Sequence, residues 1–181
     1  MKKEIETLSS RSVYKNNWMT VREDVVRFAD GHEGIFGVVD KPDFALILPL
    51  HDNGEIQLVE QYRYPVEERY WELPQGSVAT VTDGDMALVA RIELEEETGL
   101  KAETLEPMGR FFQACGFLNQ SYHLFLATGL SAGEPRHEIE EQGMITRSFE
   151  LAKIIDMIQK GQIRDAPSVA AIGQLRLMNR I

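Results

Sequence analysis

The sequence predicts a mixed α+β domain preceded by a β-hairpin, on three observations. Short apolar runs bounded by turn signals occupy residues 18–78. One helical pattern follows, from about Asp83 to Thr98, and two more helices close the chain after further strands. The 181 residues suit one domain with a small extension, divided as a strand-and-hairpin region over 1–42 and a main domain over 43–181.

The elements are justified in order. Met19 to Phe28 alternates in the manner of a strand, Asp30-Gly31 is a turn signal, and Gly34 to Val39 completes a hairpin. Phe44 to Leu50 is an apolar run that reads as a buried strand, and Asp52-Asn53-Gly54 turns the chain into a strand from Glu55 to Tyr62. Residues 70–78 are strand or loop, broken by Pro74 and Gly76. The helix from Asp83 ends at Gly99, a C-cap residue. Met108 to Ala114 and Gln120 to Thr128 read as strands, 129–143 as a Gly-, Pro- and acid-rich loop, and Met144 to Phe149 as a last strand. Glu150 to Lys160 is an amphipathic helix stopped by Gly161. Asp165 then caps a final helix with Pro167 in its first turn.

The net charge of −10 and pI near 4.9 argue against non-specific binding to nucleic acid or to anionic membranes. They do not exclude a phosphate-bearing substrate, because clustered carboxylates bind a divalent cation that then meets the phosphate. No segment approaches the roughly 20 apolar residues of a membrane span. Met1 to Ser10 is charged and predicts no signal peptide. The lone Cys115 excludes an intrachain disulfide, and with no His beside it reads as a small buried hydrophobe rather than a nucleophile. A reducing, cytoplasmic location is the expectation.

The segment Arg91-Ile-Glu-Leu-Glu-Glu-Glu-Thr-Gly-Leu100 carries the most chemistry. On a helix, Glu93, Glu96 and Glu97 stand at i, i+3 and i+4, sharing one face near a C-terminus whose dipole disfavours negative charge. Such neighbours repel by a few tenths of a kcal/mol per pair, and a hard divalent cation reverses that sign. The alternative is a solvated acidic face.

Glu93-Leu-Glu-Glu-Glu-Thr-Gly-Leu100, preceded by Glu72-Leu-Pro-Gln-Gly76, resembles the Nudix box, G-x(5)-E-x(7)-R-E-U-x-E-E-x-G-U with U aliphatic. Val21-Arg-Glu-Asp24, Ala45 to Leu50, Leu58-Val-Glu-Gln-Tyr-Arg-Tyr-Pro65 and Gly161-Gln-Ile-Arg-Asp-Ala-Pro-Ser168 further resemble the branch of ADP-ribose pyrophosphatases and nucleoside diphosphate sugar hydrolases. The box departs from its pattern. Ile92 stands at the Arg position, Gly84 at the first Glu position, and two extra residues separate Gly76 from Glu93.

The resemblance implies an α/β/α Nudix sandwich with an N-terminal hairpin exchanged across a homodimer. It implies Mg²⁺, with Mn²⁺ as substitute, held by Glu93, Glu97, Glu96 and the backbone carbonyl at Gln75 or Gly76. The implied reaction is hydrolysis of ADP-ribose or a related nucleoside diphosphate sugar to a nucleoside monophosphate and a sugar phosphate. The catalytic base falls in the acid-rich loop, with Glu140 first, then Glu138 and Glu141; Glu96 is a further catalytic candidate. Arg63 is implied as a diphosphate contact, against a surface ion pair with Glu67 or Glu68. Trp18 and Phe36 are implied to sandwich the base, against plain hairpin or dimer packing. Glu72 contacts either substrate or a strand-end amide. The rivals are another diphosphate substrate (GDP-mannose, a dinucleotide, a coenzyme) and a non-catalytic nucleotide sensor, which Ile92 and Gly84 would favour.

Overall fold

β4 (Phe44–Pro49) is buried along its whole length, and its alternating side chains sort the core into two clusters. Leu46 and Leu48 join one cluster, Ala45 and Ile47 the other. A strand covered on both faces reads as a continuous apolar run, which is why this segment is legible without periodicity. The structure is a computed structural model and describes residues 4–77, 85–136 and 141–181.

Phe44–Phe111 and Tyr122–Ile181 form one compact unit. β4 pairs in parallel with β9 (Ser121–Ser131) and antiparallel with the two-residue strand β7 (Gln75–Gly76), in a sheet ordered β7-β4-β9-β8 with β8 spanning Lys101–Phe112. A second sheet runs β10-β5-β6, from Ile145–Phe149, Ile56–Arg63 and Glu68–Glu72. Helix α1 (Met86–Thr98) packs Val89, Ala90 and Leu94 on the Ala45–Ile47 face. Helices α2 (Leu151–Gln159) and α3 (Ala166–Leu177) supply Ile154, Met157, Ile172 and Leu175 to the other cluster, with Ile56 and Leu58 of β5. The layering is the expected α+β arrangement of helices around strands.

The caps follow the sequence signals. Asp85 accepts hydrogen bonds from the amides of Ala87 (3.1 Å) and Leu88 (3.0 Å) at the start of α1. Gly99 ends it at φ +72°, and a Cβ there would lie 2.6 Å from the Gly133 carbonyl, so this position needs glycine twice over. Positions 83 and 84, expected at or before the helix start, lie outside the described residues.

Met1–Asp43 and Phe112–Ser121 form the second unit. The expected hairpin is present as β2 (Thr20–Phe28) and β3 (Glu33–Asp40), in register from Thr20 opposite Asp40 to Arg27 opposite Glu33. A further strand, β1 (Ile5–Lys15), pairs with β2, where the sequence marked no bounds for one. Its residues are all exposed, so no burial pattern betrays it. β8 begins earlier and β9 ends later than expected, into stretches whose polarity reads as loop. Cys115 is exposed, contrary to the buried hydrophobe expected, because it sits in the turn where the Phe117 and Leu118 amides reach back to the Ala114 carbonyl. No described helix is long and apolar enough to cross a membrane.

Candidate active site

The residues Glu72 to Gly76 tie the two halves of the site together. Glu72, only 1% exposed at the end of β6, accepts bonds from Gln61 Nε2 at 2.7 Å and from Arg63 Nε at 3.2 Å, and Arg63 Nη2 completes a forked pair. Gln61 and Arg63 are two apart on β5, so their side chains leave the same face. This overturns the surface alternative for Arg63: its partner is Glu72, not Glu67 or Glu68. A strand-end amide is not what Glu72 binds either. Burial, with the charge of Asp165, holds the Glu72 carboxyl above its ordinary range against the pull of Arg63. Burial opposes the charge on Arg63, but Glu72, with Glu97 and Asp165 further off, holds its pKa above the usual value.

From the other side comes α1. Glu97 is 1% exposed and accepts the Gln75 amide at 3.0 Å; Glu93 is 8% exposed. The solvated-face alternative therefore fails for both. Glu93 reaches β7 because position 76 is glycine: a Cβ there would lie 2.4 Å from Glu93 Oε2. Burial pushes Glu97 well above the usual carboxylate range, and the charges of Glu93, Glu141 and Glu72 push the same way. Arg63, Gln75, Gly76, Glu93, Glu97 and Glu141 line one pocket of about 340 Å³, with Gln61, Tyr62 and Tyr64. The Arg63 guanidinium thus shares a cavity with buried carboxylates one helical turn apart.

Would these residues hold a divalent cation? Glu93 and Glu97 are hard oxygen donors, and a cation is what lowers the cost of keeping two like charges buried beside each other. The Gly76 cradle holds one of them against the strand. Among the described residues, no three such groups already form a finished cage. The fit rests on the Glu93–Glu97 pair.

The remaining expected residues divide. Glu96 is half-buried and is not among the described residues lining the pocket; its carbonyl accepts the Arg136 amide at 2.9 Å. The reason is angular: four residues along a helix return to within about 40° of the start, whereas three fall about 60° short on the other side. Glu141 lines the pocket, while Glu138 and Glu140 lie outside the described residues. Trp18, 61% exposed, and Phe36, packed on Phe28 at 6.3 Å between centroids, belong to the other compact unit. Ile92 is half-buried and enters neither core cluster. Gln61 escapes the sequence reading, and Gln75 enters it only through its backbone carbonyl. Gln61 was findable, being two residues from Arg63 on a strand; the bond from the Gln75 amide to Glu97 was not, since only its pairing opposite Leu46 brings it here.

A family model described as the NUDIX domain matches residues 40–172. The chain belongs to the Nudix family. A second model, the nucleoside diphosphate sugar hydrolase N-terminal domain, matches residues 5–39 of this Nudix chain. An ADP-ribose pyrophosphatase of Mycobacterium tuberculosis (strain ATCC 25618 / H37Rv) is 32% identical over 93% of this chain and 82% of its own. An ADP-ribose pyrophosphatase of Bacillus subtilis (strain 168) is 26% identical over 96% and 94%. The crystal structure of an ADP compounds hydrolase superposes with a TM-score of 0.86 at 19% identity, covering 98% of this chain and 95% of that one, a likeness of fold. The chain is a Nudix pyrophosphohydrolase of the ADP-ribose pyrophosphatase and nucleoside diphosphate sugar hydrolase branch.

Proposed function

We propose that this enzyme hydrolyses the diphosphate linkage of ADP-ribose or a related nucleoside diphosphate sugar, yielding a nucleoside monophosphate and a sugar phosphate. The observation that carries the reading is the convergence of the Arg63 fork with buried Glu93 and Glu97 in one pocket. Arg63 donates hydrogen bonds to the phosphate oxygens, and Glu72, itself held by Gln61, fixes the plane of its guanidinium. Glu93 and Glu97, with the backbone at Gly76, would hold Mg²⁺, or Mn²⁺ in its place. The bound ion neutralises diphosphate charge and lowers the pKa of water.

Glu141 is the base in this reading, because it is the described acid of its loop that lines the pocket. It takes the proton as the water oxygen bonds to one phosphorus. The bridging P–O bond breaks, and its electron pair leaves on the other phosphate. Trp18 and Phe36 are proposed to grip the base across a homodimer, and the exposed apolar residues Val13, Tyr14 and Ile35 of their sheet suit burial against a second copy. The location proposed is cytoplasmic.

The test is a panel of nucleoside diphosphate sugars, dinucleotides and coenzymes incubated with Mg²⁺ and read by product mass. ADP-ribose should give AMP and ribose 5-phosphate at the highest kcat/KM. Turnover of another class at higher kcat/KM would move the substrate assignment. Tight binding with no product would turn the reading to a sensor.

A further inference from the structure

The segment Gly161–Ser168 resembles the family yet contributes no residue to the pocket among those described. Its contacts lead there nonetheless. β6 is an edge strand, and the amides of Trp71 and Leu73, two residues apart, leave on the side away from β5. Both are taken up by this segment. Trp71 N–H donates to the Gln162 carbonyl at 3.1 Å, and Leu73 N–H to the Ser168 hydroxyl at 2.9 Å.

The Ser168 hydroxyl is oriented. It donates to Asp165 Oδ2 at 2.6 Å, which also accepts the Ser168 amide at 2.8 Å as the cap of α3. The proton is committed to Asp165, so the oxygen is left to accept from Leu73. Ser168 is wholly buried, so this arrangement has no competition from solvent.

Leu73 sits between the residues that matter. Glu72 precedes it and holds Arg63. Pro74 follows, its carbonyl accepting the Ile47 amide of β4 at 2.9 Å, and then Gln75, whose amide meets Glu97 at 3.0 Å. Consecutive Cα atoms stand about 3.8 Å apart, so a shift at Leu73 is passed to both neighbours. The Asp165 carboxylate also acts through space on Arg63 and on Glu72.

We propose that Asp165 and Ser168 are positioning residues for the active site: through the Leu73 amide they set where Glu72 presents Arg63 and where Gln75 meets Glu97. The proposal rests on the reading of Arg63 as a diphosphate contact. A plain edge cap would affect stability alone. A positioning tie affects the transition state at temperatures where the protein is fully folded.

The experiment compares Ser168→Ala, Ser168→Thr and wild type well below their melting temperatures. It reads kcat and KM for ADP-ribose with Mg²⁺, and hydrogen exchange of residues 71–76 in chelator. Ser168→Ala should lose kcat about 10- to 100-fold, because misplacing the site matters more than losing one bond. Exchange at Leu73–Gly76 should rise about tenfold, with that of Leu46–Leu48 unchanged. Ser168→Thr, which keeps the hydroxyl, should return kcat to within about threefold of wild type. Kinetics of Ser168→Ala within about twofold of wild type would overturn the proposal. So would loss of kcat in both variants with exchange at 71–76 unchanged. If wild type turns over no ADP-ribose, the substrate reading fails instead, and the exchange arm still decides whether Ser168 holds the segment.

Discussion

Two charged groupings face the same pocket, and they are built on opposite principles. On the β5–β6 side, Arg63 and Glu72 answer each other in a forked pair that Gln61 completes. On the α1 side, Glu93 and Glu97 carry the same sign one turn apart, both buried, with Glu97 pushed well above its ordinary pKa. The first grouping has its complementary charge within the chain. In the second, the acids Glu93, Glu141 and Glu72 each push the pKa of Glu97 upward. A buried ion pair is weak evidence of function, because folding alone can retain it. Buried like charges oppose folding, and perturbed carboxylates of this kind cluster at functional sites.

The largest effect expected from breaking the comparison is on the acid side. Glu97→Gln should cut turnover on the order of 100-fold or more, through loss of transition-state charge stabilisation. It should leave the fold intact and raise the melting temperature of metal-free protein at neutral pH. Steady-state kinetics with Mg²⁺ and thermal unfolding in chelator check both. Unchanged turnover would return Glu97 to a structural role.

Next comes the paired side. Arg63→Ala should raise KM for ADP-ribose about tenfold or more, since the phosphate contact is lost. It should also cost roughly 2 kcal/mol of stability, discounted for the partial exposure of Arg63, because Glu72 is left buried without its cation. Removing both charges in Arg63→Met with Glu72→Met should recover much of that stability and none of the activity. The two sides therefore differ in sign: the acid-side change stabilises and the paired-side change destabilises, while both impair turnover.

The pH dependence sharpens the same point. Glu97 binds its proton more tightly in the folded than in the unfolded chain. Between the two pKa values the folded state holds more protons, so stability contributed by this group falls as pH rises from the ordinary carboxylate range through the folded pKa. The stability advantage of Glu97→Gln over wild type in chelator should widen as pH rises above the ordinary carboxylate range, measured by denaturant unfolding. Saturating Mg²⁺ should shrink it. A gap independent of pH would contradict the raised pKa.

The smallest effect belongs to the helix that carries the acids. Asp85→Ala removes the cap from the Ala87 and Leu88 amides and should cost about 1 kcal/mol in denaturant unfolding. Turnover should change less than threefold or so, because Glu93 and Glu97 sit two to three turns away, where a frayed first turn is no longer felt.

Much of the fold is legible in the amino-acid sequence. The apolar run of β4, the Asp-Asn-Gly turn into β5, Gly99 ending α1 and Asp165 opening α3 are local signals with local causes. The acids of α1 are legible from helical spacing. Their burial is not. The hydrophobic stripe of α1 is interrupted by the acids themselves, so periodicity cannot tell a pocket-facing side from a solvated one. β1 escapes because an exposed strand has no burial to encode. Its existence depends on the β2 edge to which it pairs.

What the sequence by itself determined is the kind of chemistry: hard carboxylates at i and i+4, a guanidinium at a strand end, and a glycine ahead of them. Those are properties of residue type and of one helix or strand, and no distant contact alters them. What only the tertiary structure decided is which groups meet. Glu72 took Arg63 rather than an amide, Glu96 fell outside the described pocket wall, and Ser168 reached Leu73 across 95 residues of chain. A hydrogen bond between residues that far apart is set by how sheets and helices stack. Stacking is a sum over the whole core, which no single segment of the sequence contains.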